Sequence, residues 1–206
     1  MKNKILHKAA EMFLNLGFKS VTMDDIANEL GVSKKTIYNH FSNKTDLVKE
    51  VTDSVFEIVC EGINMICSKE ENPIDELYEI KRFSMEYLKN EKASPQYQLQ
   101  KYYPKIYATL KSKQFDIMQE CVIENLKRGV EQGFYRETID LGFISRIYFH
   151  GVIGIKDVDL FPLKQFSMNS IMNFYLEYHL RGICTEKGIN KLNEIIINNQ
   201  SEKNAK

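Results

Sequence analysis

The chain lacks an excess of charge of either sign. Its 206 residues include 28 Lys and Arg against 28 Asp and Glu, so the formal net charge at pH 7 is zero. A chain without a global basic field can bind nucleic acid only through a local cluster of positive charge. Hydrophobic residues make up 43% of the sequence and charged residues 27%. This balance is typical of a globular protein and excludes a disordered, collagen-like or coiled-coil chain.

Long hydrophobic runs are also lacking. Glu11 and Asn15 interrupt the N-terminal region where a secretory signal would need an unbroken apolar stretch. The most apolar run, from Phe143 to Ile155, contains an arginine and a histidine and is too short to span a bilayer. We therefore expect a cytoplasmic protein with no membrane partner.

The sequence has no paired-cysteine motif. Its four cysteines, Cys60, Cys67, Cys121 and Cys184, are scattered without a Cys-x-x-Cys spacing. We expect free thiols in a reducing cytosol, since neither a disulfide framework nor a metal site is indicated. Cys60 and Cys67 would share one face of a helix, but about 10 Å of helical rise separates them, which is too far for a disulfide.

Motifs of catalysis are missing as well. The four histidines show no His-x-x-x-His or Glu-x-x-His spacing, and the sequence contains no P-loop, dinucleotide-binding glycine motif or nucleophile elbow. We therefore expect no enzymatic activity, no metal and no cofactor.

What the sequence does contain is helical periodicity along nearly its whole length, which predicts an all-α fold. The first helix is predicted over residues 4–16. A second begins after Thr22, with Asp25 completing a capping box, and ends at Gly31. Ser33 is predicted to cap a third, very short helix, from which Ile37 and Phe41 point inward.

A long fourth helix is predicted from the cap at Asn43 to Lys69. Its roughly 25 residues would span about 38 Å, more than the three preceding helices need, so it should join the N-terminal module to the rest of the chain. We place an N-terminal domain over residues 1–49 and a larger helical domain over 50–206. In the larger domain, helices are predicted over 74–90, 105–132, 141–156 and 163–182, with a loop at 91–95 and a frayed tail at 198–206.

The second and third helices, joined by a tight turn at Gly31, have the arrangement of a helix-turn-helix. The third helix presents polar side chains that could enter a major groove: Lys34, Lys35, Thr36, Tyr38, Asn39 and His40. From Ser33 to Lys49 there are four lysines against one carboxylate, a local net charge of +3. Lys44, in the first turn of the fourth helix, and the Thr22 hydroxyl are placed to contact phosphates.

These residues also carry a family resemblance. The elements in register are Thr22-x-x-x-Ile26-Ala27, Gly31-Val32-Ser33, Tyr38-x-x-Phe41 and Lys44-x-x-Leu47. Together they resemble the N-terminal signature of the TetR/AcrR family of bacterial transcriptional regulators, over roughly a quarter of the chain. Lys35 departs from the pattern, because many members have glycine there.

The resemblance implies a homodimeric repressor whose two reading helices enter successive major grooves of a near-palindromic, double-stranded operator. Carried over residue by residue, it places Lys34, Thr36, Tyr38 and His40 at the DNA and Lys44 and Thr22 on phosphates. With the neighbouring polar residues included, the residues expected at the DNA are Thr22, Ser33, Lys34, Lys35, Thr36, Tyr38, Asn39, His40 and Lys44.

The larger domain is rich in aromatic residues, most of which we expect to form its core. Tyrosine combines an apolar ring with one hydrogen-bonding group, which suits a pocket for a small-molecule inducer. The residues predicted to line that pocket are Phe83, Tyr87, Tyr103, Tyr107 and Phe149. The helices over 141–156 and 163–182 are predicted to form the dimer interface, with Phe166, Ile171, Phe174, Tyr175 and Tyr178 as contacts.

An alternative function is a helical ligand-carrier or interaction module that no longer reads DNA. The four residues Lys34, Tyr38, His40 and Lys44 argue against it, because a module without DNA would have no need of them.

Overall fold

The computed structural model describes residues 1–87, 95–157, 159–162 and 164–204, with all their side chains except those of residues 87 and 200–204. The described part contains ten α-helices and no strand longer than one isolated bridge between Tyr135 and Cys184. The all-α prediction is therefore confirmed. The helices are α1 (Lys2–Leu16), α2 (Met23–Leu30), α3 (Lys34–Tyr38), α4 (Lys44–Cys67), α5 (Pro73–Tyr87), α6 (Pro95–Tyr102), α7 (Pro104–Glu131), α8 (Leu141–Gly154), α9 (Met168–Ile183) and α10 (Glu186–Asn204).

The helix boundaries in the first quarter of the chain are set by local side-chain caps. The Thr22 hydroxyl accepts a hydrogen bond from the Asp25 backbone N–H at 3.1 Å, and the Asp25 carboxylate accepts one from the Thr22 N–H at 2.8 Å. This is the predicted capping box. Asn43 caps α4 in the same way, since its side-chain oxygen accepts a hydrogen bond from the Asp46 N–H at 3.0 Å.

Two boundaries in the larger part of the chain differ from the prediction. The helix predicted from Leu163 begins at Met168, because the Ser167 hydroxyl accepts a hydrogen bond from the Ser170 N–H at 3.1 Å and caps the helix there. The prediction extended α5 to residue 90 and placed a loop at 91–95. Residues 88–94 lie outside the described part, and Pro95 begins α6.

The C-terminal helix α10 was missed, and the prediction of a frayed tail from residue 198 was wrong as far as Asn204. The Thr185 hydroxyl accepts a hydrogen bond from the Gly188 N–H at 3.2 Å, which fixes the start of the helix. Leu192 is fully buried, and Ile189, Ile195 and Ile196 pack around it. Three- and four-residue spacing of these apolar residues was the signal in the sequence. It was overlooked because the surrounding residues are strongly polar.

The chain divides into two compact units, and the boundary between them runs through α4, α5 and α7. The first unit comprises residues 1–62 and 84–114. Its core is formed by α1 to α4 and is completed by Leu99 from α6. The predicted boundary between residues 49 and 50 divides the chain by function, whereas the two units divide it by compactness. The functional boundary stays a prediction.

The second unit comprises residues 63–83 and 115–206. Its apolar core draws on α5, α7, α8, α9 and α10. A buried polar network lies within it: the Asn125 amide donates to Glu76 at 2.7 Å and to the Pro73 carbonyl at 2.9 Å, and the Tyr135 hydroxyl donates to Asn125 at 3.1 Å. Arg128 pairs with the other oxygen of Glu76 at 2.5 Å. The buried Glu76 carboxylate is thus satisfied on both oxygens.

Among the described residues, no helix is at once long enough and apolar enough to cross a membrane.

Candidate nucleic-acid interface

The turn between α2 and α3 holds the two helices in a fixed relation. Gly31 adopts the left-handed conformation with φ +63°, and its N–H donates to the Asn28 carbonyl at 3.0 Å. The Val32 N–H donates to the Ala27 carbonyl at 3.0 Å, which closes the turn. Ile37 and Phe41 are buried in the core of the first unit. The third helix is therefore anchored on one side and open to solvent on the other.

The exposed side of α3 and the two residues that follow it include most of the residues expected at the DNA. Lys34, Lys35, Tyr38, Asn39 and His40 are all exposed, and 43% of the Tyr38 surface remains accessible. Their side chains offer hydrogen-bond donors and acceptors, which is what reading base edges in a major groove requires.

Ser33 and Thr36 are engaged with each other. The Ser33 hydroxyl accepts a hydrogen bond from the Thr36 N–H at 3.1 Å, and the two hydroxyl oxygens lie 2.8 Å apart. The Ser33 side chain therefore acts as the N-cap of α3, and Thr36 is half-buried beside it. A DNA contact by either residue would have to be made in addition to this capping pair.

Lys34 already binds other residues of its own chain in the absence of DNA. Its ammonium lies 2.8 Å from the Asp24 carboxylate and 5.9 Å from the centre of the Tyr38 ring. The hydrogen bond to Asp24 raises the pKa of Lys34. Asp24 thus neutralises part of the positive charge on the reading helix.

Lys44, the first residue of α4, lies close to Lys19, which precedes α2, and to Asp25 in the first turn of α2. It is half-buried, and its Nζ donates to the Lys19 carbonyl at 3.5 Å. Burial lowers the pKa of Lys44, while the nearby Asp25 carboxylate partly opposes that effect. The side chain is thereby drawn close to the capping box at the start of α2, where the Thr22 hydroxyl also donates to Asp25 at 2.8 Å.

A further basic surface of the first unit escaped the sequence reasoning. Residues 95–115 contain four lysines and no carboxylate. Lys101, on α6, lies 5.5 Å from the ring of Tyr97 and 5.8 Å from that of Tyr102. Lys19, which precedes α2, lies 5.5 Å from the Tyr102 ring. The run of lysines without acidic residues was the signal that could have identified this surface.

The five residues predicted to line an inducer pocket fall into different units. Tyr103 and Tyr107 pack on the core of the first unit, where the Tyr103 ring lies 6.1 Å from that of Phe18. Phe83 and Phe149 belong to the second unit, and the Phe149 ring lies 5.2 Å from that of Phe115. The side chain of Tyr87 lies outside the described part. The pocket stays a prediction.

The five residues predicted at the dimer interface differ in their surroundings. Phe174 and Tyr178 are 66% and 78% exposed, whereas Ile171 is only 4% exposed and belongs to the core of its own chain. The Tyr175 hydroxyl donates to the Tyr148 carbonyl at 2.9 Å, and the Phe166 ring packs 5.9 Å from that of Phe161.

Two exposed residues of α8 had not been predicted at an interface. They are Phe143 and Ile147, which are 61% and 45% exposed and four residues apart on the helix. Helix α9 packs against α8, and its two exposed rings, Phe174 and Tyr178, are also four residues apart. Each helix therefore carries an apolar pair on one face.

The fold and this interface define a helix-turn-helix DNA-binding protein. Residues 5–51 match the profile of bacterial regulatory proteins of the tetR family. The repressor KstR2 of Mycobacterium tuberculosis is 22% identical over 152 residues, covering 70% of this chain and 74% of that protein. IcaR of Staphylococcus aureus, the negative transcriptional regulator of the biofilm operon icaADBC, is 32% identical over 79 residues, covering 38% of this chain and 42% of that protein.

A solved structure agrees in fold with these sequence similarities. SmeT, the repressor of the Stenotrophomonas maltophilia multidrug efflux pump SmeDEF, superposes with a TM-score of 0.69 at 16% identity, covering 90% of this chain and 91% of that one. Over residues 5–51 the chain thus matches the tetR family of bacterial regulatory proteins, and over most of its length its fold is similar to that of a solved repressor.

Proposed function

We propose that this protein is a homodimeric transcriptional repressor that binds a near-palindromic operator through α3 and leaves it when a small molecule binds the larger domain. The observation that carries the proposal is the solvent-facing surface formed by α3 and the two residues after it, with five exposed polar residues beside an apolar anchor in the core. Repression is favoured because the relatives KstR2 and IcaR are named as repressor and negative regulator.

In this proposal the residues divide into two roles. Lys34, Lys35, Tyr38, Asn39 and His40 face bases and nearby backbone. Thr22 and Lys44 contact phosphates, with Ser33 and Thr36 fixing the start of the reading helix. Phosphate contacts position the protein, whereas base contacts select the sequence. The exposed apolar pairs of α8 and α9 support dimerisation, since solvent-facing rings on two adjacent helices favour burial against a second copy.

Release would follow from a difference in affinity between two states of the dimer. A ligand weakens operator binding only to the extent that it binds the DNA-free state more tightly. The long helix α4 is the element we propose to transmit the change, because its 24 residues begin with Lys44 in the first unit and end in the second. The spacing of the two reading helices would change. They would then no longer fit two half-sites that lie one helical turn of DNA apart, about 34–36 Å.

The first experiment is to incubate the purified protein with sheared DNA from its source organism and sequence what stays bound at moderate salt. Recovery of a near-palindromic motif upstream of a few genes would support the proposal and nominate the class of inducer. Uniform recovery without a motif, from a folded dimer, would contradict it and favour a ligand carrier that no longer reads DNA.

Substitution of Lys44 by alanine tests the assignment of roles. The variant should bind all DNA more weakly, and the slope of log K against log salt should fall by about 0.9, because one phosphate contact is lost. Lys127→Ala, on the exposed surface of α7 in the second unit, is the control and should leave the slope unchanged. A loss confined to one operator sequence would contradict a phosphate role for Lys44.

A further inference from the structure

A positively charged surface of the first unit continues from Lys44, at the start of α4, to the end of α6. The Lys44 Nζ donates to the Lys19 carbonyl at 3.5 Å, and the Lys19 ammonium lies 5.5 Å from the centre of the Tyr102 ring. The Lys101 ammonium lies 5.8 Å from the centre of the same ring. Three lysines from separate segments of the chain are thus connected by short contacts within one compact unit.

Helix α6 is packed into the module that carries the reading helix. Its Leu99 is 3% exposed among core residues of α1 to α4. The side-chain oxygen of Gln98 accepts a hydrogen bond from the Lys19 N–H at 3.2 Å, which ties the segment before α2 to α6. Lys101 follows Leu99 by two residues and is exposed. The backbone that carries Lys19 and Lys101 therefore belongs to the same core as α3.

The two outer lysines of this surface have no acidic partner. Lys19 and Lys101 are exposed, and neither forms an ion pair within the part of the chain that the structure describes. Lys34 on the reading helix differs, because it pairs with Asp24 at 2.8 Å. Since Lys19 and Lys101 approach the same Tyr102 ring, their like charges repel each other, and a bound anion would relieve that repulsion.

We propose that Lys19 and Lys101 bind the phosphate backbone of DNA next to the phosphates contacted by Thr22 and Lys44. The surface would lengthen the row of phosphate contacts that begins beside the reading helix. Ammonium groups bind phosphates without reading base edges, so these contacts should add affinity and salt dependence but no sequence selectivity. The inference rests on the proposed function, because it requires that Lys44 lies at the DNA.

DNA is favoured over other polyanions because the surface is continuous with Lys44. The rings of Tyr97 and Tyr102 are 38% and 40% exposed beside Lys101, and tyrosine hydroxyls are among the groups that bind phosphate oxygens in DNA complexes. An anionic membrane or an acidic peptide would use the same charges. Neither accounts for the connection to Lys44 or for the shared core with α3.

The test measures DNA binding over a salt series for the full-length protein and for Lys19→Gln, Lys101→Gln and the double variant. The probe is a fragment retained from sheared genomic DNA, and a mixed-sequence duplex of equal length is the non-specific reference. Each single change should make the slope of log K against log salt less steep by about 0.9, and the double change by about 1.8. The ratio of specific to non-specific affinity should stay unchanged.

Lys187→Gln is the matched control. Lys187 is also an exposed lysine beside an aromatic ring, 4.2 Å from the centre of the Phe134 ring, but it belongs to the second unit. Its loss removes the same charge and should leave the slope unchanged. Lys19→Arg and Lys101→Arg keep the charge and should keep the slope. All these changes leave the Lys19 carbonyl that Lys44 binds in place, and circular dichroism checks that each variant is folded.

An unchanged slope in the folded double variant, on DNA that the wild type binds specifically, would overturn the inference. An equal change in Lys187→Gln would also overturn it, because overall charge would then explain the effect. If wild type but not the double variant binds phosphatidylserine vesicles while the DNA slope is unchanged, the surface belongs to a membrane contact instead. Failure of the wild type to bind any DNA specifically would contradict the proposed function itself.

Discussion

The side-chain amide of Gln98 occupies the space in which a side chain on Gly17 would begin. An ideal Cβ on Gly17 would lie 2.3 Å from the Gln98 Nε2 and 2.5 Å from its Oε1. The same Oε1 accepts a hydrogen bond from the Lys19 N–H at 3.2 Å. Gly17 also has φ +84°, a conformation that residues with a Cβ rarely adopt. The backbone at the end of α1 therefore favours glycine at position 17, and the Gln98 amide of α6 packs directly against it.

Gly17→Ala should destabilise the protein by about 2–4 kcal/mol, because the added methyl group is strained by the backbone and displaces Gln98. The free energy of unfolding, measured by denaturant titration, checks this. Gly31→Ala is the control: its φ of +63° is also unfavourable, but nothing lies within 4 Å of the added atom, so we expect a loss of about 1 kcal/mol. If Gln98→Ala recovers none of the stability lost in Gly17→Ala, the steric explanation is wrong.

Asp24→Asn should increase affinity for DNA. Asp24 forms an ion pair with Lys34 at 2.8 Å on the surface proposed to meet DNA, so its removal frees a cation and deletes a negative charge. We expect roughly a two- to fivefold increase at low salt that shrinks as salt rises. Fluorescence anisotropy over a salt series measures it. Glu29→Gln neutralises another exposed carboxylate of α2 and should have less effect; an equal gain from both variants would show that Lys34 plays no special part.

Phe174→Asp should convert the proposed dimer to a monomer, since it introduces a charge into one of the exposed apolar pairs. Operator affinity should fall at least about 100-fold because the second half-site contact is no longer intramolecular. Sedimentation velocity reports the oligomeric state, and circular dichroism confirms that the variant is folded. Leu160→Asp is the matched control, because Leu160 is 70% exposed but lies outside α8 and α9. A folded, dimeric Phe174→Asp variant would place the interface elsewhere.

Acidification should destabilise the protein through His179. This side chain is buried, with its ring 4.8 Å from that of Tyr148 and 6.1 Å from that of Tyr175, and burial lowers its pKa to about 4. In the unfolded chain the histidine takes up a proton near pH 6.5, whereas in the folded protein it does so only near pH 4. The unfolded state therefore binds more protons between these values, and the free energy of unfolding falls by up to about 3 kcal/mol as the pH decreases from 6.5 to 4.

His179→Phe keeps an aromatic ring at this position and removes the titrating group. The difference in unfolding free energy between wild type and variant should therefore change across pH 6.5–4 and be constant above it. Because the carboxylates titrate in both proteins, comparison of the two pH profiles isolates the histidine. Parallel profiles would show that His179 takes up its proton equally in the folded and unfolded states.

The parts of the fold that depend on neighbouring residues were predictable from the sequence. The caps at Thr22, Ser33 and Asn43 each join residues three positions apart, so their pattern is readable along the chain. Helix α10 had a comparable pattern, but its apolar positions are sparse among polar residues. The start of α9 was misplaced because two serines, rather than the preceding apolar residues, determine it.

Relationships between distant residues could not be predicted in this way. The approach of Gln98 to Gly17 depends on how whole helices pack, and no local spacing encodes it. Lys34 is a further example. The helix-turn-helix pattern predicted that Lys34 faces the DNA, but it did not predict the ion pair with Asp24. The sequence indicates which residues are candidates for DNA contacts. The structure adds the partners that these residues bind within their own chain.

The completion of the first unit's core by Leu99 has a consequence for attempts to exchange DNA specificity between regulators. A cut after α4 would transfer the reading helix but leave behind α6, whose Leu99 is 3% exposed among residues of α1 to α4. The graft would expose the apolar surface that Leu99 covers and would lack the amide of Gln98 beside Gly17. A chimera that keeps its operator preference should therefore carry residues 95–103 together with the first 62 residues, or replace them with a segment of matching shape.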